Sequence, residues 1–364
     1  MLNNKDYLKE MGIALTGNVD VDNNLLVNKY FKIQSTEPIC TYYVEDGVEH
    51  EVFLTINNHN AAFAEVIWEN LTLAERLRVL KWKEEQFLSE LGYSGEKPKF
   101  EFLSNMPVPE DVNYTAASKN GRIELLLSYV DSCGGYSALT TILHECIHEK
   151  DHRVASDIAR KYVQKYLPIN AYINPMYHIE DILKLPLDGK IYNKSTKQFD
   201  FVTKEMAEDF LFLKNEVVAI NSRIGTQTKK SMVVTKEGFN KYIRKAVYML
   251  TPRERRAFEG SAKLANKIML ENTKKYPHTP RDVWQYNKNR TTPLTILGKK
   301  RELQKYYKMP IANIINMELV NEYNNTFYQD RKDLYILPEL MDLRSKCVNY
   351  FYETAFSGRS IEKQ

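Results

Sequence analysis

Apolar and polar positions alternate along EHEVFLTI (49–56) with the period of two that marks a half-buried strand, and Asn57-Asn58 then supplies a turn. In LTLAERLRVLKWKEEQFLSELG (71–92) the period lengthens. Leu73, Leu77, Leu80 and Phe87 fall at helical spacing, and Gly92 suits a helix end. KFEFLS (99–104) reads as a short strand. VNYTAAS (112–118) and RIELLLSYV (122–130) flank Lys119-Asn120-Gly121, and Asn-Gly between two strand-like runs predicts a hairpin. Gly134 and Gly135 break the chain. From Ser137 to about Tyr166 the pattern is helical again, with Leu139, Leu143, Cys146, Ile147, Val154 and Ile158 on one arc.

Beyond that helix the pattern weakens. KEMAEDFLFLKNEVVAI (204–220) and GFNKYIRKAVYML (238–250) read as helices among Pro- and Asn-containing loops. TPRERRAFEGSAKLANKIML (251–270) reads as another, with Thr251 as N-cap and Pro252 in its first turn. The polar, proline-bearing stretch 276–298 reads as a linker or long loop, and the Tyr-rich stretch 299–364 as helical. No internal repeat or low-complexity tract stands out.

Composition adds bounds to this picture. A chain of 364 residues that is 43% hydrophobic and 27% charged has ordinary globular usage and can bury a substantial core in one large domain or two smaller ones. The net charge of +4 conceals an asymmetry: from Asn221 to Pro310 there are 22 lysines and arginines against 6 acids, a net +16, which leaves −12 for the remainder. A segment that basic suits an acidic partner, a membrane surface or nucleic acid; the plainer reading is a solvated helical surface. Cys40, Cys133, Cys146 and Cys347 are far apart and form no C-x-x-C pair, which fits a reducing compartment better than a disulfide framework. No ordinary signal peptide is visible at the N-terminus, and no run approaches the ~18 apolar residues that span a bilayer. The expectation is a cytoplasmic protein with no membrane partner.

The chemistry concentrates in His144-Glu145-Cys146-Ile147-His148. Two histidines four apart on a helix project from one face about a turn apart, so both imidazoles can reach one tetrahedral Zn²⁺. Glu145 flanks the pair and can take a proton from a water whose pKa zinc lowers to about 7. Cys146 occupies the apolar arc and reads as a core residue rather than a ligand.

The order of strand RIELLLSYV, glycine-bearing loop and helix TTILHECIHEKDH resembles the zincin metallopeptidases. In that family substrate backbone pairs with the strand along the cleft edge, which implies that role here for residues around Ile123–Tyr129. Catalytic zinc keeps three protein ligands and one open position. Tyr248-x-x-x-Pro252-x-Glu254-x-x-Ala257 is similar to the downstream segment of glutamate-liganded zincins, including compact ones of bacteria and phages, and the resemblance implies Glu254 as the third ligand. Glu259, on the same helix, and Glu216, in NEVVA, compete with it. His152 lies near the metal-facing stripe, yet three successive turns of a straight helix diverge too far to wrap one ion, and HEKDH has no glycine to break it. Asp151 is placed to orient a ligand histidine. Glu254 follows His148 by 106 residues, long for the family, which implies an insertion at about 168–240.

The expected protein is therefore an α+β zincin-like metallopeptidase: a small antiparallel-containing sheet, an active-site helix, a second metal-ligand helix and additional helical segments. An acidic segment (1–60) precedes the domain (61–275), and a linker with a helical extension (276–364) follows it. Zinc is held by His144, His148 and Glu254, Glu145 is the catalytic base, and a peptide or protein is the substrate. Tyr248 and His178 are candidates to stabilise the oxyanion. The alternative is a non-catalytic binding or structural protein of the same fold, associated with nucleic acid through the basic 221–310 segment.

Overall fold

The computed structural model describes residue 33 and residues 35–93, 95–103, 115–118, 121–167, 179–185, 189–223 and 252–306. The architecture is mixed, with small sheets and several helices, and is of the α+β kind. The described residues fall into two compact units, one drawn from those up to Lys150 and Ala257–Pro293, the other from Asp151–Arg256 and those after Pro293.

The first unit opens with an antiparallel hairpin of β1 (Ile39–Glu45) and β2 (Val48–Leu54). Its turn is Asp46-Gly47, both at positive φ, as a tight two-residue hairpin requires. A short helix α1 (Glu65–Trp68) leads to α2 (Leu73–Glu90). Helix α2 begins at a reciprocal cap: Thr72 N–H donates to Glu75 Oε2 (2.8 Å) and Glu75 N–H to Thr72 Oγ1 (3.3 Å). The expected stripe is inward, with Leu77, Leu80 and Phe87 buried. Strands β3 (Lys99–Leu103), β4 (Ala116–Ser118) and β5 (Arg122–Leu126) form a sheet in the order β3-β5-β4, parallel on one side of β5 and antiparallel on the other. The expected β4–β5 pairing is present, with Ser118 opposite Ile123; residues 112–114, 119 and 120 lie outside the described residues.

Two expectations fail here. The strand stops at Leu126, and Leu127–Ser132 is a helix, α3, that buries Leu127 and Val130 three apart. An unbroken apolar run has no period to distinguish the two states, and packing decided. The pairing role assigned to residues around Ile123–Tyr129 fails with it. β5 is hydrogen-bonded on both sides, and Leu127–Tyr129 is helical, so neither offers a free strand edge.

Helix α4 (Gly135–Tyr166) follows and continues into the second unit. In the first unit its Leu139, Leu143 and Cys146 are fully buried, whereas Val154 is exposed. Past Lys150 the buried positions include Ala155, Ala159 and Tyr162, a stripe about 100° round from Val154. The second unit adds α5 (Ile179–Leu183), a hairpin of β6 (Lys190–Asn193) and β7 (Gln198–Phe201), and α6 (Lys204–Arg223). Its core is built on Tyr162, Ile182, Phe210 and Leu213. Helix α7 (Pro252–Asn272) begins at the expected proline. The helix expected at 238–250 lies outside the described residues.

The linker expected at 276–298 is instead most of helix α8 (Pro280–Tyr306). It docks on the first turns of α4 through a partly buried polar ladder: Ser137 Oγ donates to Gln285 Oε1 (2.7 Å), Gln285 Nε2 to Asn289 Oδ1 (2.8 Å) and Asn289 Nδ2 to Thr140 Oγ1 (3.2 Å). No described helix is long and apolar enough to cross a membrane.

Candidate metal centre

The start of α4 is fixed by close packing. Gly135 N–H donates to Glu65 Oε2 at 2.9 Å, and a Cβ on Gly135 would lie 2.3 Å from the Phe63 carbonyl oxygen, so only glycine fits. Two and a half turns on, the helix presents His144 and His148. Their Nε2 atoms converge to 2.9 Å, with the rings edge to face at a centroid distance of 4.5 Å.

Helix α7 lies close by. The Phe258 ring is 4.5 Å from the His144 ring, and a Cβ on Gly260 would sit 3.0 Å from Ile147 Cδ1. Ala257, Ser261 and Ala265 are buried on α7, and small side chains of this kind permit such an approach. Glu254, in the first turn of α7, is 3% exposed. Ligand atoms of His144, His148 and Glu254 all lie within 4.8 Å of one another, and no other described set of three His, Cys, Asp or Glu side chains comes together this way.

The donor set suits a divalent, borderline-soft cation. Zinc takes imidazole nitrogen at about 2.0–2.1 Å and carboxylate oxygen at similar range, and tetrahedral angles then separate two nitrogens by about 3.3 Å. The two histidines are near that spacing already. Glu145 follows His144 directly and is 7% exposed.

The rival ligands fall outside the group. Glu216 is fully buried and receives Arg253 Nη1 at 2.8 Å, with Arg256 Nη2 3.9 Å away. Burial pushes its carboxyl up to about 7, against the pull of Arg253. Glu259 is exposed, five residues and about 140° round α7 from Glu254. His152 is partly buried; burial, and then the nearby Arg253 charge, hold its pKa below the usual histidine value. Asp151 takes Arg256 at 2.7 Å rather than a ligand histidine. Cys146 sits in the core, where burial pushes its thiol well up. Tyr248, His178 and Thr251 lie outside the described residues.

Glu149 escaped the sequence reading. It is 1% exposed and accepts from Ser118 Oγ (2.8 Å) and Tyr93 OH (3.2 Å), which ties β4 to the helix at the residue after His148. Nothing in its spacing marks it; the signal lies in contacts far apart in sequence.

No protein family, curated protein or solved structure matches this chain. The site's geometry and chemistry therefore carry the functional argument alone.

Proposed function

We propose that this chain is a zinc-dependent metallopeptidase of zincin type, hydrolysing peptide bonds in a peptide or protein substrate. One observation supports the reading above all: two imidazoles and a carboxylate from helices α4 and α7 bring their ligand atoms within 4.8 Å of one another, and Glu145 follows His144 directly on α4. Three protein ligands of this kind leave the fourth position of a tetrahedral ion open, as catalytic zinc requires and structural zinc does not.

His144, His148 and Glu254 would hold the zinc, which would supply Lewis acidity and bring the pKa of a water down to about 7. Glu145 accepts the proton of the attacking water and passes it to the leaving amine nitrogen. Burial of His148 and Glu254 lowers the local dielectric and strengthens the hold of both on a cation.

The test is metal content and cleavage measured together. Elemental analysis of the purified chain should find about one zinc, and an unfolded protein substrate should be cleaved. Glu145→Gln should keep the zinc and the fold while cleavage drops by about 100-fold or more, because an amide cannot accept the proton. A zinc-free chain sinks the reading. Zinc without cleavage, together with salt-sensitive binding to nucleic acid, moves it to the non-catalytic alternative through the basic 221–310 segment.

A further inference from the structure

The hairpin of β6 and β7 is turned inside out relative to its chemistry. Register pairs Lys190 with Phe201 and Tyr192 with Phe199, so strand alternation puts these four on one face. The opposite face carries Ile191 and Asn193, which are buried. The outer face is where the aromatics are: Tyr192 is 48% exposed, Phe199 62% and Phe201 69%. On that face the two phenylalanines have cross-strand partners, worth about 0.2–1 kcal/mol per pair, while the ribbon's core contact is made by the other face. An exposed cluster of large apolar side chains marks a binding surface.

The arrangement within the cluster selects the partner. Tyr192 and Phe199 meet edge to face at 5.4 Å, and Lys190 Nζ lies 4.8 Å from the centre of the Phe201 ring. Cation and aromatic faces are thus interleaved on a two-by-two grid. Gly189–Val202 carries Lys190, Lys194 and Lys197 against one acid, Asp200. Asp200 is on the other side of β7 from the aromatics, where its carboxylate accepts from Tyr166 OH and Asn193 Nδ2, both at 2.8 Å. The hairpin therefore offers π-faces and positive charge outward and holds its carboxylate away. A polyanion with flat, unstacked rings complements both features, whereas a duplex keeps its bases stacked and out of reach.

We propose that the outer face of the β6–β7 hairpin binds single-stranded nucleic acid, with bases stacking on Tyr192, Phe199 and Phe201 and phosphates meeting Lys190, Lys194 and Lys197. None of its residues belongs to the basic 221–310 segment or to the His144–His148–Glu254 group. Recognition is sequence-tolerant, because every base has a π-face.

The test uses the full chain and a fluorescein-labelled ten-nucleotide oligothymidylate, read by fluorescence anisotropy. Binding is expected at about 1–100 µM, with a log–log salt slope of about −2 from three lysines at about 0.7 each. Phe199→Ala and Phe201→Ala should each weaken binding about tenfold, and Lys190→Gln should reduce the slope by about 0.7. All three side chains are exposed, so melting temperatures should match the parent chain, which separates lost stacking from lost folding. No binding at low salt, equal affinity for a blunt duplex, or parental affinity in the Phe199→Ala/Phe201→Ala double variant would each overturn the proposal. Concentration-dependent self-association that the double variant abolishes would also overturn it, by assigning the face to a second copy of the chain.

Discussion

Two helices of this chain have nearly the same first residues. Helix α7 begins at Pro252-Arg253-Glu254 and helix α8 at Pro280-Arg281-Asp282, each preceded in sequence by threonine. The arginines do the same thing in both: Arg253 reaches buried Glu216 at 2.8 Å, and Arg281 reaches buried Glu65 at 2.7 Å. The acids part company. Asp282 Oδ2 turns back on its own helix start, accepting from Thr279 N–H at 2.8 Å and Thr279 Oγ1 at 3.1 Å while Thr279 Oγ1 accepts from Asp282 N–H at 3.2 Å, and its Oδ1 accepts from the Glu65 N–H at 3.3 Å. Glu254, one methylene longer, joins the two histidines of α4. A proline–arginine–acid start is thus a helix signal first. What the acid does beyond that depends on what the fold places in front of it.

The largest expected effect separates the two acids. Glu254→Ala should weaken zinc binding by more than about 100-fold in a chelator competition and remove cleavage, since loss of even a ligand-supporting group costs 10- to 100-fold. Asp282→Ala should leave zinc stoichiometry untouched and cost about 1–3 kcal/mol of stability, since it removes the cap and also the acceptor of the buried Glu65 N–H. Equal zinc affinity in the two variants would erase the distinction; loss of zinc in Glu259→Ala or Glu216→Ala instead would move the ligand.

The arginines come next. Arg253 and Glu216 are both nearly inaccessible, with side chains 7% and 0% exposed. Arg253→Ala leaves the buried Glu216 carboxyl without its cation; burial already raises that carboxyl to about 7, so it takes up a proton at pH 7 and the loss should be about 2–3 kcal/mol. Denaturant unfolding checks this: the deficit should grow above pH 7, where the carboxyl must ionise unpaired, and Glu216→Gln in the same background should remove that growth.

Unequal legibility of the two helix starts has a physical basis. Helix α7 was readable because Thr251-Pro252 coincides with an apolar stripe that includes Ala257, Ala265 and Ile268, all buried. Helix α8 carries the same start signal, yet its polar, proline-bearing sequence predicts a linker. Its contact with α4 is made by Gln285 and Asn289, so apolar periodicity, the primary cue, is silent there. The hairpin turn at Asp46-Gly47 was likewise written in the sequence and passed over. At the candidate metal site the histidine pair was legible because helical geometry alone sets its spacing. The meeting with Glu254 spans 106 residues, which no local rule encodes; only the resemblance singled it out. Glu149, held by Ser118 and Tyr93, had no cue of either kind.

Arg281→Ala sharpens the comparison with Arg253, with a smaller expected loss. The Arg281 side chain is 46% exposed, so water replaces part of the lost pairing, and about 1–2 kcal/mol at pH 7 is expected. The loss should also depend on pH. Burial raises the Glu65 carboxyl above the ordinary carboxylate value, while the Gly135 N–H and Arg281 pull it back. A carboxyl raised on folding holds its proton more tightly folded than unfolded. Its contribution is therefore fully present at acid pH and is lost as pH climbs through the folded value. Removing Arg281 raises that value further, so the deficit of the variant should be greatest at neutral pH and shrink below about pH 4. A deficit that grows on acidification would reverse the assignment of Glu65 as the group left without its cation.

The smallest effect tests whether the α8 start is purely structural. Thr279 donates both its N–H and its hydroxyl to Asp282 and accepts the Asp282 N–H in return. Thr279→Ala removes the hydroxyl and leaves the N–H bond, so the cost should be about 1 kcal/mol, within the ordinary range for an N-cap. Thr279→Ser restores the oxygen and should recover most of that loss, with a small remainder for the missing methyl. Zinc content and cleavage should be indifferent to both substitutions, because the Thr279 hydroxyl bonds Asp282, whose other carboxylate oxygen accepts the Glu65 N–H, and none of these belongs to the His144–His148–Glu254 group. If Thr279→Ala lowered zinc affinity as Glu254→Ala is expected to, the two helix starts would be coupled parts of one site, and the contrast drawn between their acids would fail.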